Sequence, residues 1–103
     1  MNEIETKIER YLEQENTKEA QKILKDIKNK SHFYFYKGEI KRIEGFMKEA
    51  VDCYEKVLNQ KDRDNKVCFD SLLNLISLYR AEGDVVKTEN LIKKAEKISP
   101  KDQ

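Results

Sequence analysis

The stretch LLNLISLYRAEGDVVKTENLIKKAEKISP, residues 72–100, holds two apolar stripes separated by a turn. Leu72, Leu75, Ile76 and Tyr79 recur at three- and four-residue steps, so they share one face of a helix. Gly83 ends that helix, because glycine accepts the left-handed backbone with which helices commonly finish. Asp84 then opens a second helix whose stripe is Leu91, Ile92, Ala95 and Ile98, and Pro100 lies just past its end, where a helix cannot continue. The stretch reads as a helical hairpin.

Working back towards the N-terminus, the same pattern recurs twice, which makes six helices in all. The first carries Ile4, Ile8, Tyr11 and Leu12 on one face and ends near Glu15. Asn16, followed three residues later by Glu19, is a capping-box start for the second, whose stripe is Ala20, Ile23, Leu24 and Ile27. Ser31 is the expected cap of a third helix running through Phe33, Tyr34, Phe35, Tyr36, Ile40 and Ile43 to Gly45. The fourth spans about Phe46 to Asn59, with Met47, Ala50, Tyr54, Val57 and Leu58 facing inward. The polar run of residues 60–65 is the longest connection, and Asp64 or Asn65 is the expected cap of the fifth. One domain, 1–103, is divided into units of about 1–30, 31–64 and 69–102, with a linker at 60–66.

Composition agrees with an all-α chain. Three glycines, one proline and no tryptophan stand among many Glu, Lys, Leu, Ile and Ala residues. Lys plus Arg total 21 against 20 for Asp plus Glu, so no strong net field selects a polyanion or a membrane surface. No segment has the apolar length of a membrane span, and the acidic start Met1-Asn2-Glu3-Ile4-Glu5 does not resemble a secretory signal. Cys53 and Cys68 fall on apolar faces far from any Cys-x-x-Cys spacing and read as reduced core residues of a cytoplasmic protein. The tripeptide Asn29-Lys30-Ser31 matches a glycosylation sequon, which matters only for a secreted chain.

The third unit, through Leu72, Leu75, Ile76, Tyr79, Gly83, Thr88, Ile92, Ala95 and Pro100, resembles the tetratricopeptide repeat. Tyr34, Gly38, Gly45, Ala50, Tyr54 and Val57 match the same spacing in the second unit, and Ile4, Ile8, Tyr11, Ala20, Leu24 and Ile27 match it in the first. Thr88, Ile76, Lys37 and Lys41 depart from the usual residue types. A shift of one residue in the second unit instead places Phe33, Tyr36 and Ile40 in the core and Gly38 on the groove side. Ala20 and Ala50 are 30 residues apart and Gly45 and Gly83 are 38 apart, which bracket the ideal of about 34.

The resemblance implies a right-handed α-solenoid of three antiparallel helix pairs whose first helices line a concave groove for a peptide or partner helix. It places Asn2, Glu5, Glu9, Leu12 and Glu13, then His32, Phe35, Glu39 and Arg42, then Asp70, Leu73, Ser77 and Arg80 on that groove. The expected function is that of a protein-binding scaffold or adaptor, with no catalytic, cofactor or metal residues. Glu5, Glu9 and Glu13 stand four apart and form a ridge, which reads either as a solvated face or as a seat for a basic partner segment. A subclass that grips a C-terminal carboxylate with Lys, Arg and Asn is excluded, since Glu5, Glu9, Tyr36, Asp70 and Asn74 stand in those places.

Four consecutive aromatics, Phe33 to Tyr36, cover every side of a helix, so two suffice for the core. The others are expected to be groove anchors, a self-association surface or packing beneath a turn. With Lys37, Lys41 and Arg42 they also suggest a weaker alternative, a stacking platform for single-stranded nucleic acid. A further alternative is the self-associating repeat portion of a peptide-sensing regulator. His32 has no ligand-spaced companions, and Asp62-Arg63-Asp64-Asn65 lacks the Gly and the terminal Glu of a calcium loop. One His, no phosphate-binding Gly loop and no Cys/His pairing argue against an enzyme. The sixth helix, with Lys87, Asn90, Lys93, Lys94 and Lys97 outward, is expected to serve as its own solvating cap and to complete the chain.

Overall fold

The computed structural model describes residues 2–61 and 64–98. Pro100 and the linker residues Asp62 and Arg63 lie outside them. Six helices follow in order: α1 (Glu3–Glu13), α2 (Thr17–Leu24), α3 (Lys30–Glu44), α4 (Met47–Leu58), α5 (Asn65–Glu82) and α6 (Val85–Lys97). No strand occurs among the described residues. Each helix packs on the next in sequence, and α3 also touches both α1 and α5.

Capping chemistry sets most of the starts. Asn2, Asn16, Asp64 and Asp84 each accept a hydrogen bond from the backbone N–H three residues on, which satisfies a donor that the helix itself leaves unpaired. The third helix differs from expectation: Asn29 is its cap, accepting from the His32 N–H, while Ser31 is fully buried and donates to the Asn29 side chain at 2.7 Å. Phe46 precedes α4 and makes no side-chain cap.

Three turns inside the helix pairs share one geometry. Glu15, Gly45 and Gly83 all have positive φ, at 55°, 89° and 81°. In each turn the next residue, Asn16, Phe46 or Asp84, donates its N–H to the carbonyl five residues earlier, on Tyr11, Lys41 or Tyr79. That six-to-one bond caps the preceding helix. The buried residues Ala20, Ala50 and Thr88 then each stand five positions after the left-handed one. The period is therefore present in the backbone as well as in the sequence. Glu15 alone of the three bears a side chain that disfavours this conformation, so Glu15→Gly should stabilise the fold by about 1 kcal/mol. A thermal midpoint that falls in the variant would show that the turn is not strained.

The core forms two clusters. Ile8, Ala20, Leu24, Ile27, Tyr36 and Ile40 join α1, α2 and α3. Ala50, Tyr54, Cys68, Leu72, Leu75, Ile76, Tyr79, Leu91 and Ala95 join α4, α5 and α6, and Phe35 packs against both clusters. Each fully buried Ile or Leu contributes roughly 1.5–3 kcal/mol. Met47, expected inside, is 46% exposed, at the first position of the fourth helix. Cys53 and Cys68 are buried as thiols. Among the described residues no helix is long and apolar enough to cross a membrane.

The second unit resolves its two registers in a mixed way. Gly38 faces α4, where a Cβ would meet Tyr54 at 2.8 Å, so it is the residue that lets the two helices approach. Tyr36 and Ile40 are nonetheless buried, towards α1 and α2. Helix α3 has neighbours on both sides, and one apolar stripe does not serve it. Lys37 and Lys41 stay only half-buried, Lys41 reaching Glu49 at 3.5 Å and Lys37 lying over the Phe33 ring at 6.0 Å.

Candidate functional site

The aromatic run of α3 is sorted by the helix period. Tyr36 is buried against the α1–α2 pair, and Phe35 sits between the two core clusters with its ring edge-on to Tyr36 at 5.3 Å. Phe33 and Tyr34 pack edge to face at 5.3 Å on the other side, Tyr34 beneath the ammonium of Lys56. All four rings are at least partly covered.

Polar groups knit α1, α3 and α5 together. The Tyr36 hydroxyl donates to Glu9 at 2.9 Å and lies 3.4 Å from Glu5. Nδ1 of His32 is 2.9 Å from both Glu5 carboxylate oxygens, and Nε2 is 2.5 Å from Oδ2 of Asp64. Glu5 is only 6% exposed. Of the expected Glu5, Glu9, Glu13 ridge, Glu5 is thus turned inward, its carboxylate engaged by burial and by His32. A carboxylate on each ring nitrogen is satisfied fully only by the doubly protonated ring.

Burial of the ring lowers the His32 pKa, but the hydrogen bonds and charges of Asp64 and Glu5 outweigh it and hold the pKa above the ordinary 6.5. Asp64 shifts the matching way: burial raises its pKa, and the Val67 N–H together with His32 bring it below the usual range. A raised folded-state pKa gives stability that is complete below the unfolded value of about 6.5 and is lost as pH rises through the folded value. Urea midpoints should accordingly fall as pH rises above about 6.5, and His32→Gln should flatten that fall. Equal midpoints in the parent chain would mean that folding does not raise the pKa of the ring.

Beside this network lies a groove of about 420 Å³ lined by Glu9, Leu12 and Glu13 of α1, Phe35, Tyr36, Glu39, Arg42 and Ile43 of α3, and Asp70 of α5. Four carboxylates against one guanidinium leave it three negative charges in a chain whose formal charge is +1. Glu39 is the most constrained of the four, accepting from Asn74 at 3.1 Å, Arg42 at 3.3 Å and the Tyr54 hydroxyl. Asp70 pairs with Lys66 at 2.9 Å, while Glu13 is exposed and makes no ion pair among the described residues.

The structure thus gathers Glu9, Leu12, Glu13, Phe35, Glu39, Arg42 and Asp70 of the sequence-predicted groove. Leu73, Ser77 and Arg80 line a separate groove at the α5–α6 end, and His32 lies in the network rather than on the lining. Among the described residues no three His, Cys, Asp or Glu side chains converge as a metal site requires. Compared with protein-family models, with curated proteins and with solved structures, the chain matches none.

Proposed function

We propose that the chain is a protein-binding scaffold of the tetratricopeptide kind, a right-handed solenoid of three helix pairs that holds a peptide or partner helix against α1, α3 and α5. The observation that carries this reading is the charged groove built by all three units, anionic in a chain of nearly balanced charge. The repeated turns at Glu15, Gly45 and Gly83 and the contacts of α3 with α1 and α5 support the stacked arrangement. The ligand is a segment with one or two Lys or Arg side chains towards Glu9 and Glu13 and an apolar or aromatic side chain towards Leu12, Phe35 and Ile43. Binding, rather than catalysis, is its role, and the buried thiols fit a cytoplasmic setting.

Selection of random dodecamer peptides on the immobilised chain tests this. Enriched sequences should join basic to apolar residues, bind more weakly as salt rises, and lose about tenfold or more in affinity against Glu9→Gln/Glu13→Lys, because rim charges act largely through association rate. Enrichment of acidic sequences, or binding indifferent to that variant, would put the partner surface elsewhere. A labelled oligothymidine serves as the control, and salt-sensitive retention of it would favour the nucleic-acid reading instead.

A further inference from the structure

Counted from the left-handed turn residue of each unit, Leu73 stands where Glu5 and Phe35 stand, Ile76 where Ile8 and Gly38 stand, and Ile92 where Leu24 and Tyr54 stand. In the first unit these positions are covered: Ile8 and Leu24 cluster with Tyr36 and Ile40 of α3, and Glu5 lies under His32 and Tyr36. In the second, Tyr54 and Phe35 pack with Leu72 and Leu75 of α5. In the third unit Ile76 is buried in the core, but the receiving surface around Leu73 and Ile92 is open. Leu73 is 45% exposed, Ile92 and Phe69 are half-buried, and together they line a groove of about 420 Å³. The outward lysines of α6 lie away from this groove, whose apolar side chains are joined by Ser77, Arg80 and Glu96.

We propose that this α5–α6 face is covered by a second copy of the chain, in a two-fold dimer with Leu73 near its axis. Charge on the rim points to a self-complementary contact. Arg80 of α5 and Glu96 of α6 line the same groove, and neither is ion-paired among the described residues. A two-fold axis brings Arg80 of each copy to Glu96 of the other. The opposite end of the molecule offers no match for an apolar groove: the exposed residues of α1 are Glu3, Thr6, Lys7, Arg10 and Glu13, all polar. Head-to-tail stacking is thereby disfavoured, and the contact closes at two copies. The patch is small, so the dimer is weak, with a dissociation constant on the order of 10–100 µM. Only the equivalence of positions rests on the repeat reading; the exposure and charges do not.

Sedimentation equilibrium of the full chain across that concentration range is the test. The mass should rise from 12.3 kDa towards twice that value and stop there. Leu73→Glu should weaken the dimer more than tenfold while leaving the melting curve unchanged, since the side chain is nearly half exposed. Arg80→Glu and Glu96→Arg should each weaken it, and the double variant should restore it. A monomer at every concentration, a dimer indifferent to Leu73→Glu, a mass that grows beyond two copies, or charge variants whose losses add instead of cancelling would each overturn the proposal. None of these results bears on peptide capture by the α1–α3–α5 groove.

Discussion

Tyr54→Ala should cost about 3–5 kcal/mol, a large share of the total stability of a domain this size. The ring is fully buried in α4 and touches three things at once. Its ring fills the space opposite Gly38, its centroid lies 6.2 Å from that of the tilted Phe35 ring, and its hydroxyl donates to Glu39. Truncation leaves a cavity between the second and third units and removes one of the donors that neutralise a partly buried carboxylate. Tyr54→Phe separates the two effects: with Asn74 and Arg42 still bonded to Glu39, only about 1–2 kcal/mol should be lost. Lys93→Ala, on the exposed side of α6, should change stability by no more than about 0.5 kcal/mol. Denaturant midpoints for the three variants check the order. Equal losses in Tyr54→Ala and Lys93→Ala would mean that α4 is not seated as described.

Helix number, type and most boundaries were legible because local rules decide them. A 3.6-residue stripe marks α1, α2 and α4 to α6, and Asn16, Asp64, Asp84, Gly45 and Gly83 are residues whose side chain, or lack of one, dictates the terminus they occupy. Ser31 misled because the competing cap, Asn29, is two residues upstream and equally suited, and the choice depends on which of them the core has room to bury. Glu15 left no signal of its left-handed backbone, because a glutamate carries no preference for that conformation.

The candidate site was legible in part. Glu9, Glu13, Phe35, Glu39, Arg42 and Asp70 meet because each stands on the same relative face of an odd-numbered helix, a relation that the repeat resemblance implied. The Glu5–His32–Asp64 tie was not. Its members lie 27 and 32 residues apart, on α1, on α3 and at the N-cap of α5, and their contact depends on how far one helix slides along the next. The split of the expected surface into two grooves has the same origin. Contact between α3 and α5 is limited, and Leu73, Ser77 and Arg80 turn towards the α6 side instead of towards Phe35.

The close fit of Gly38 against the Tyr54 ring yields the second large effect. Gly38→Ala would ordinarily stabilise a helix interior by about 1 kcal/mol. Here the new methyl meets Cε1 of Tyr54 at 2.8 Å and Cδ1 at 3.0 Å. The ring cannot swing aside cheaply, because it is enclosed on every side and its hydroxyl is held by Glu39. Overpacking of this kind costs about 1–3 kcal/mol. The clash therefore wins, and a net loss of about 1–2 kcal/mol is expected once the propensity gain is deducted. In a Tyr54→Leu background the ring is gone, so the same Gly38→Ala change should become neutral or stabilising. A four-member cycle of thermal midpoints measures that reversal as a coupling energy. If Gly38→Ala raises stability in both backgrounds, α3 does not meet α4 at Gly38, and the one-residue shift that turns Gly38 towards the groove describes the second unit.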